Sequence, residues 1–126
     1  SAASDVYKRQ DLLTELYRAG GHPYDFIILD PPAFTKSSST VRAAERGYKE
    51  INLKAMRLLP RGGYLATCSC SHFMTETLFR HMLHDAAADA GVSLRQIEAR
   101  RQAPDHPILW NVPETDYLKF YIFQVV

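Results

Sequence analysis

The fold is decided first by residues 24–34, which read YDFIILDPPAF. The first part, Tyr24–Asp30, is a nearly continuous apolar run of strand-forming side chains closed by a carboxylate. Such a run is typical of a strand that is covered on both faces of a parallel sheet. Pro31 and Pro32 fix their own φ angles and favour extended backbone at the residue before each of them. We therefore expect a stiff turn with Asp30 at the tip of a buried strand.

The rest of the chain alternates between helical and strand patterns. The expected elements are helices over Asp11–Ala19, Ser39–Leu59 and Ser71–Gly91, and further strands over Tyr64–Cys70, Val92–Arg101 and Asp116–Val126. Strands that alternate with helices of this length predict an α/β fold with a parallel, doubly wound sheet. No helix separates the last two strands, so we expect one of them to run antiparallel to the rest.

Composition narrows the class of protein. With 126 residues, 46% of them hydrophobic, the chain is at most one domain with a real core, and no apolar run approaches the length of about 18 residues that a membrane span needs. A net charge of +1 is not the strongly basic pattern of many nucleic-acid binders. The two cysteines favour a reducing, cytoplasmic location. A lone Cys-x-Cys lacks the further ligands of a zinc site, so no metal is expected.

Two chemically active side chains end neighbouring strands. Asp30 closes one predicted strand and Cys70 closes the next, and strands joined by a single crossover helix are usually adjacent. Ligands of open parallel sheets collect at the carboxyl ends of the strands. The spacing therefore predicts a carboxylate and a thiol in one cleft, although an aspartate at a strand end is as often a loop acceptor or a helix cap.

Several motifs together resemble a known family. The segment DPPAF resembles the fourth motif of S-adenosylmethionine-dependent methyltransferases that act on planar nitrogen or base substrates. Together with GYKEINLKAMRLL, GGYLATCSCS, ADAG, RQAPDHP and PETDYLK, it makes residues 11–126 similar to the large-subunit type of ribosomal-RNA cytosine-carbon-5 methyltransferases. The resemblance implies the C-terminal part of a Rossmann-like methyltransferase sheet, mostly parallel with an antiparallel last strand. It also implies ribosomal RNA as substrate and S-adenosylmethionine as methyl donor.

The resemblance assigns the nucleophile to a cysteine in a Thr/Ser-Cys-Ser motif, and both residues 67–69 and residues 69–71 fit it. Counted from Gly62-Gly63, Cys70 falls where the family has its motif cysteine. It also lies nearer the strand tip and the expected start of the next helix, whose N–H groups lower the pKa of a nearby thiol. We therefore expect Cys70 to be the nucleophile and Cys68 to be a small buried core residue.

The same resemblance makes Asp30 the group that binds the amino edge or the protonated ring nitrogen of the cytosine. Pro31 and Pro32 would form a flat wall of the base pocket, with Phe34 as a stacking face. Lys36 is a candidate for a phosphate contact, and a solvated lysine is an equal alternative.

Three expectations limit this interpretation. His72 and His106 could act on the thiol or on the carbon-5 proton, but structural roles are the more ordinary reading. No glycine-rich loop leads into a helix in the sequence, so we expect the chain alone to bind S-adenosylmethionine weakly or not at all and to be inactive. Residues 1–10, SAASDVYKRQ, resemble a translated sequencing adapter, so we expect residues 11–126 to be the C-terminal half of a catalytic domain.

Two other functions remain open from the sequence. A guanine or adenine methyltransferase of ribosomal RNA could share the pattern Asp-Pro-Pro-x-Phe, and Cys70 would then be dispensable. A non-catalytic α/β module that binds a partner is the third possibility.

Overall fold

The computed structural model describes residues 24–31 and 41–126 as a four-stranded mixed sheet packed against two helices. The strands are β1 (Phe26–Leu29), β2 (Tyr64–Ser69), β3 (Leu94–Arg100) and β4 (Lys119–Val125), the helices are α1 (Val41–Leu58) and α2 (Glu76–Ala90), and a 3-10 turn covers Pro113–Thr115. This order confirms the predicted elements with shorter bounds. The helix predicted over Asp11–Ala19 lies outside the described residues.

The strands are arranged in the order β1-β2-β4-β3. β1 and β2 are parallel, while β4 lies between β2 and β3 and is antiparallel to both. β3 therefore runs in the same direction as β1 and β2. This confirms the predicted α/β class with a mostly parallel sheet and an antiparallel last strand.

Both described helices lie on one face of the sheet, because the crossovers from β1 to β2 and from β2 to β3 progress in the same direction and crossovers are right-handed. The core lies between these helices and the inward side chains of the strands. It includes Tyr48, Ile51 and Met56 of α1, Phe79 and Met82 of α2, and Leu65, Tyr121 and Phe123 of the sheet.

The opposite face of the sheet is open at β1 in the described part of the chain. Phe26 is 48% exposed, Ile28 is 68% exposed and Tyr64 of β2 is 37% exposed. The expectation that β1 is covered on both faces is therefore wrong for the described residues. An apolar run identifies a strand, but the position of the helices decides which of its faces is buried.

The ends of the helices follow local chemistry. α2 begins at Glu76, five residues later than predicted from the periodicity, because the Thr75 hydroxyl accepts a hydrogen bond from the Leu78 N–H at 3.2 Å and caps the helix there. Gly91 ends it with a left-handed φ of 71°, which favours glycine. Neither α1 nor α2 is long and apolar enough to cross a bilayer.

Candidate active site

Asp30 meets a cysteine where β1 and β2 end. The parallel register pairs Leu29 with Thr67, so the next residues, Asp30 and Cys68, come side by side. The Cys68 thiol donates a hydrogen bond to Asp30 Oδ1 at 3.2 Å, and its sulfur lies 3.6 Å from the Leu29 carbonyl oxygen. The predicted cleft with a carboxylate and a thiol is thus present, with Cys68 rather than Cys70 in direct contact.

Cys68 is held as a neutral thiol. It is only 7% exposed, and burial is the largest cause that raises the pKa of its thiol to about 12. The hydrogen bond to Asp30 and the negative charge of that carboxylate raise the pKa further. Because the thiolate is the reactive form of cysteine, this environment makes Cys68 a poor nucleophile at neutral pH.

Cys70 has a different environment two residues further on. Its side chain is exposed, although neighbouring protein atoms desolvate the thiol enough to raise its pKa. Repulsion from Asp30 raises the pKa of Cys70 as well, and the positive charge of Lys119 lowers it. The expected lowering by a helix N-terminus is wrong, because α2 begins only at Glu76. The cation that favours the thiolate is instead a lysine of β4.

Lys119 occupies an unusual position for a lysine. It is only 8% exposed, it lies opposite Ser69 in the β2–β4 ladder, and its ammonium group donates a hydrogen bond to the Ser71 carbonyl oxygen. Burial lowers the pKa of Lys119, while Asp116, Cys70 and Glu76 raise it. Lys119 is not among the residues predicted from the sequence. Its position along β4 could have indicated that it is buried, because alternate residues of a strand share one face and position 119 shares the inward face with residues 121, 123 and 125.

A buried polar network fixes the other side of β2. Thr67 Oγ1 donates to Asn52 Oδ1 at 2.7 Å, Asn52 Nδ2 donates to the Tyr48 carbonyl oxygen at 2.8 Å, and Ser69 Oγ donates to the Tyr48 hydroxyl at 3.1 Å. All four residues are at most 1% exposed. Buried polar groups that are satisfied in this way hold a segment in one position. The network therefore fixes the backbone from which Cys68 and Cys70 project.

The sequence analysis left Tyr48 unassigned and did not single out Asn52. Their signal was a spacing of four residues, which places both on one face of α1. The sequence could not decide whether this face of α1 is buried, since the orientation of a helix depends on the side chains that the sheet presents to it.

Only some of the remaining predicted site residues lie in the described part of the chain. Pro31 is buried next to Asp30, whereas Pro32, Phe34 and Lys36 lie outside the described residues. His72 contacts the Phe73 ring, with the two ring centroids 4.0 Å apart. His106 is exposed in a turn in which its backbone N–H donates to the Ala103 carbonyl oxygen at 2.9 Å.

The described part of the chain, residues 24–31 and 41–126, contains no group of three histidine, cysteine, aspartate or glutamate side chains that could hold a metal ion. Its glycines lie within α1 (Gly47) or follow a helix (Gly62, Gly63 and Gly91). None of these glycines forms a loop leading from a strand into a helix.

A cavity of about 600 Å³ lies beside this edge of the sheet. Neither Asp30 nor Cys70 lines it, but Lys119 and His72 do. Its other walls come from the start of α2 and from the segment between β3 and β4. The cavity therefore lies next to the site formed by Asp30, Cys68 and Cys70 and is not part of it.

No family model matches the chain. The chain is 45% identical over 122 residues to proteins named ribosomal RNA large subunit methyltransferase I from Shigella dysenteriae serotype 1 and from Escherichia coli O157:H7. Each match covers 97% of this chain and 30% of the relative, so the chain spans about a third of the length of these curated relatives.

Two solved structures share the fold. The structure of SMU.776, described as a methyltransferase complexed with SAH, superposes with a TM-score of 0.74 at 18% identity over 91% of this chain and 29% of its own. A protein from Streptococcus mutans, described as a SAM-dependent methyltransferase, gives a TM-score of 0.73 at 19% identity over 91% of this chain and 28% of its own. The four-stranded mixed sheet with two helices on one face is thus an arrangement that these methyltransferase structures contain.

Proposed function

We propose that residues 11–126 are the C-terminal part of the catalytic domain of an S-adenosylmethionine-dependent methyltransferase that acts on large-subunit ribosomal RNA. The 45% identity to proteins of that name over 97% of the chain supports the substrate class. The superposition on structures described as methyltransferases supports the fold of the domain. The chain spans 30% of those relatives, so the activity belongs to a larger protein.

We further propose that the methyl group is transferred to carbon 5 of a cytosine, with Cys70 as the nucleophile. The observation that carries this proposal is the contrast between two cysteines beside one carboxylate. Cys68 is buried and donates a hydrogen bond to Asp30, whereas Cys70 is exposed and next to the cation of Lys119. Only Cys70 combines access to a base with a neighbour that favours the thiolate.

The chemistry explains why a thiolate is needed. Carbon 5 of cytosine is a weak nucleophile, so the Cys70 thiolate first adds to carbon 6, and the electron pair of the 5,6 double bond moves to carbon 5. S-adenosylmethionine supplies the methyl group that carbon 5 receives. A base or a water molecule then takes the carbon-5 proton, the electron pair of that C–H bond re-forms the 5,6 double bond, and the bond between carbon 6 and sulfur breaks with its pair on sulfur, which regenerates the thiolate.

Asp30 would bind the polar edge of the base during the addition. Its Oδ1 accepts a hydrogen bond from the Cys68 thiol at 3.2 Å, which orients the carboxylate. A carboxylate accepts several hydrogen bonds at once, and an amino group or a protonated ring nitrogen is a suitable donor. Cys68 is in this proposal a positioning residue for Asp30.

The test is a chimera in which this chain replaces the matching segment of the Escherichia coli relative, assayed on ribosomal RNA from cells that lack that enzyme. Cys70→Ala should abolish methyl transfer, while binding of S-adenosylmethionine by the chimera stays unchanged. Cys68→Ser is the matched control, because it removes a thiol of the same strand but keeps a donor to Asp30, and it should leave most of the activity.

Mass spectrometry of the digested RNA identifies the methylated nucleoside. The proposal requires 5-methylcytidine as the product of the parent chimera. A methylated guanosine or adenosine would refute the cytosine assignment, and undiminished transfer by Cys70→Ala would refute the nucleophile.

A further inference from the structure

We propose that the cavity beside the site binds an unpaired base of the RNA next to the target cytosine, with Trp110 as the stacking surface. This inference rests on the proposed function, because it takes RNA as the substrate. The cavity measures about 600 Å³, and its apolar lining includes Ile108, Trp110, Pro113 and Leu118. A concave, mostly apolar site with a few polar groups at its rim is the usual form of a site for a small planar ligand.

Trp110 is the residue that singles out this cavity. It is the only tryptophan of the chain and is 97% exposed, so it contributes nothing to the described core. A flat, exposed indole is a stacking surface that accepts any base.

The turn that carries Trp110 is held in a fixed shape. Leu109 and Val112 form an isolated antiparallel bridge, and the Val112 N–H donates to the Leu109 carbonyl oxygen at 3.0 Å. Thr115 Oγ1 accepts from the Leu109 N–H at 2.8 Å and donates to the Val112 carbonyl oxygen at 2.7 Å. These hydrogen bonds hold the turn that carries the exposed indole in one conformation. A preformed turn lowers the entropy cost of stacking a base on the indole.

Gln102 joins this segment to the end of β3. Its side-chain oxygen accepts from the Tyr117 and Leu118 N–H groups, each at 3.3 Å, and its side-chain nitrogen donates to the Thr115 carbonyl oxygen. The wall of the cavity that contains Pro113 and Leu118 is thus fixed to the sheet by one amide.

The charges at the rim balance, which favours a neutral ligand group. Arg101 pairs with Glu76 at 3.1 Å and with Asp116 at 3.4 Å, and Lys119 supplies the second positive charge. Two cations and two carboxylates offer donors and acceptors to the edge of a base but little net attraction for a phosphate. A nucleobase is therefore a better fit than a phosphate group.

The cavity is placed to take a neighbour of the target base. Lys119 lines it and also contacts the Ser71 carbonyl, one residue after Cys70. His72, the next residue, lines it as well. A strand of RNA whose cytosine lies at Cys70 would thus pass this cavity with an adjacent nucleotide, and splayed, unstacked bases are the form in which proteins read single-stranded RNA.

The experiment uses the whole chain and the fluorescence of its single tryptophan. Titration with a short single-stranded RNA of mixed sequence should quench Trp110, and duplex RNA of the same sequence should not. The quenching should depend only weakly on salt, because stacking rather than phosphate neutralisation drives it. Absence of quenching, or equal quenching by duplex RNA, would overturn the proposal.

Variants are compared by the fluorescence anisotropy of labelled RNA. Trp110→Ala should weaken binding by about tenfold or more, and Trp110→Phe should restore part of it. Ile97→Ala is the matched control, because it removes another exposed apolar side chain, 46% exposed, that does not line the cavity. Since Trp110 is almost fully exposed, its replacement should not change folding.

Two further results distinguish the base site from a contact of Trp110 with the rest of the protein and from the proposed role of Cys70. If Trp110 contacted another part of the protein, Trp110→Ala would lower the thermal stability of the chimera and leave RNA binding unchanged, which would refute a base site. Cys70→Ala should quench like the parent chain. Quenching by RNA together with undiminished methyl transfer by Cys70→Ala would refute the nucleophile but support the base site.

Discussion

The two sides of β2 differ in what they do with their polar groups. On the side that faces the helices, Thr67 and Ser69 are at most 1% exposed and bonded to Asn52 and Tyr48. On the other side, Cys68 lies against Asp30, and beyond the end of the strand Cys70 is exposed. The hydroxyls that face the helices have their hydrogen-bond partners within the protein. The side chains of the opposite side lie at the edge of the sheet where Cys70 is accessible to a ligand.

The difference shows how one strand can be both a scaffold and a reactive edge. Alternation along a strand sends successive side chains to opposite faces, so a sequence of the type Thr-Cys-Ser-Cys separates hydroxyls from thiols. The hydroxyls bond to α1 and hold the backbone, which keeps the thiols beside Asp30. Four predictions test this contrast, from the largest expected effect to the smallest.

The largest effect should be the selectivity of alkylation between the two cysteines. Iodoacetamide should modify Cys70 at least about a hundredfold faster than Cys68 at pH about 8, because a pKa of about 12 leaves only roughly one Cys68 in ten thousand ionised. Peptide mass spectrometry of the chain over time measures both rates. Asp30→Asn removes the negative charge that raises the pKa of Cys68, so it should increase the rate at Cys68. Equal rates in the parent chain would contradict the contrast.

The next effect concerns the buried network. Asn52→Ala should lower the free energy of unfolding by about 2–4 kcal/mol, because it leaves the Thr67 hydroxyl without its acceptor and opens a small cavity. Denaturant unfolding of the chain measures the change. Arg46→Ala, at an exposed position of the same helix, should change it by less than about 0.5 kcal/mol. A similar cost for both variants would show that the network does not fix β2.

Lys119 should affect the reactivity of Cys70. Lys119→Met removes the positive charge that lowers the pKa of this thiol, so the pKa rises, the thiolate fraction at a given pH falls, and the profile of alkylation rate against pH moves to higher pH. We expect a rate about threefold to tenfold lower near neutral pH. Lys119→Arg keeps the charge and should retain most of the rate. A profile unchanged in Lys119→Met would exclude the lysine as the cation that favours the thiolate.

The smallest effect should come from the open face. Ile28→Thr keeps a β-branched side chain at a position that is 68% exposed, so the free energy of unfolding should change by only about 0.5 kcal/mol. Leu65→Ala, on the buried face, is the contrasting variant and should cost several times as much. A large cost at Ile28 would show that this face is covered in solution.

The sequence predicted the order of the elements well, because strands and helices here have distinct periods. Residues 24–30 and 64–70 contain strands, residues 41–58 form a helix, and the lack of a helix before residues 116–126 indicated the antiparallel strand. The start of α2 was missed by five residues because hydrophobic periodicity continues through residues that are not helical, while the Thr75 cap decides the boundary.

The site was predicted in part. Asp30 at the end of one strand and a cysteine at the end of the next follow from the chain order alone, since adjacent parallel strands end at the same edge. Lys119, Tyr48 and Asn52 could not be found in this way. Asn52 and Tyr48 are 15 and 21 residues away from the hydroxyls to which they bond, and Lys119 is 49 residues away from Cys70. Only the sheet order β1-β2-β4-β3 brings β4 against β2.

By itself, the sequence determined the local chemistry: which segments become strands, where the carboxylate and thiols stand along them, and which class of methyltransferase the motifs resemble. The tertiary structure decided which cysteine is buried, which cation faces the other one, and which face of the sheet stays open. The physical reason is that pKa, burial and hydrogen bonding depend on neighbours from distant parts of the chain, and strand order and helix placement choose those neighbours.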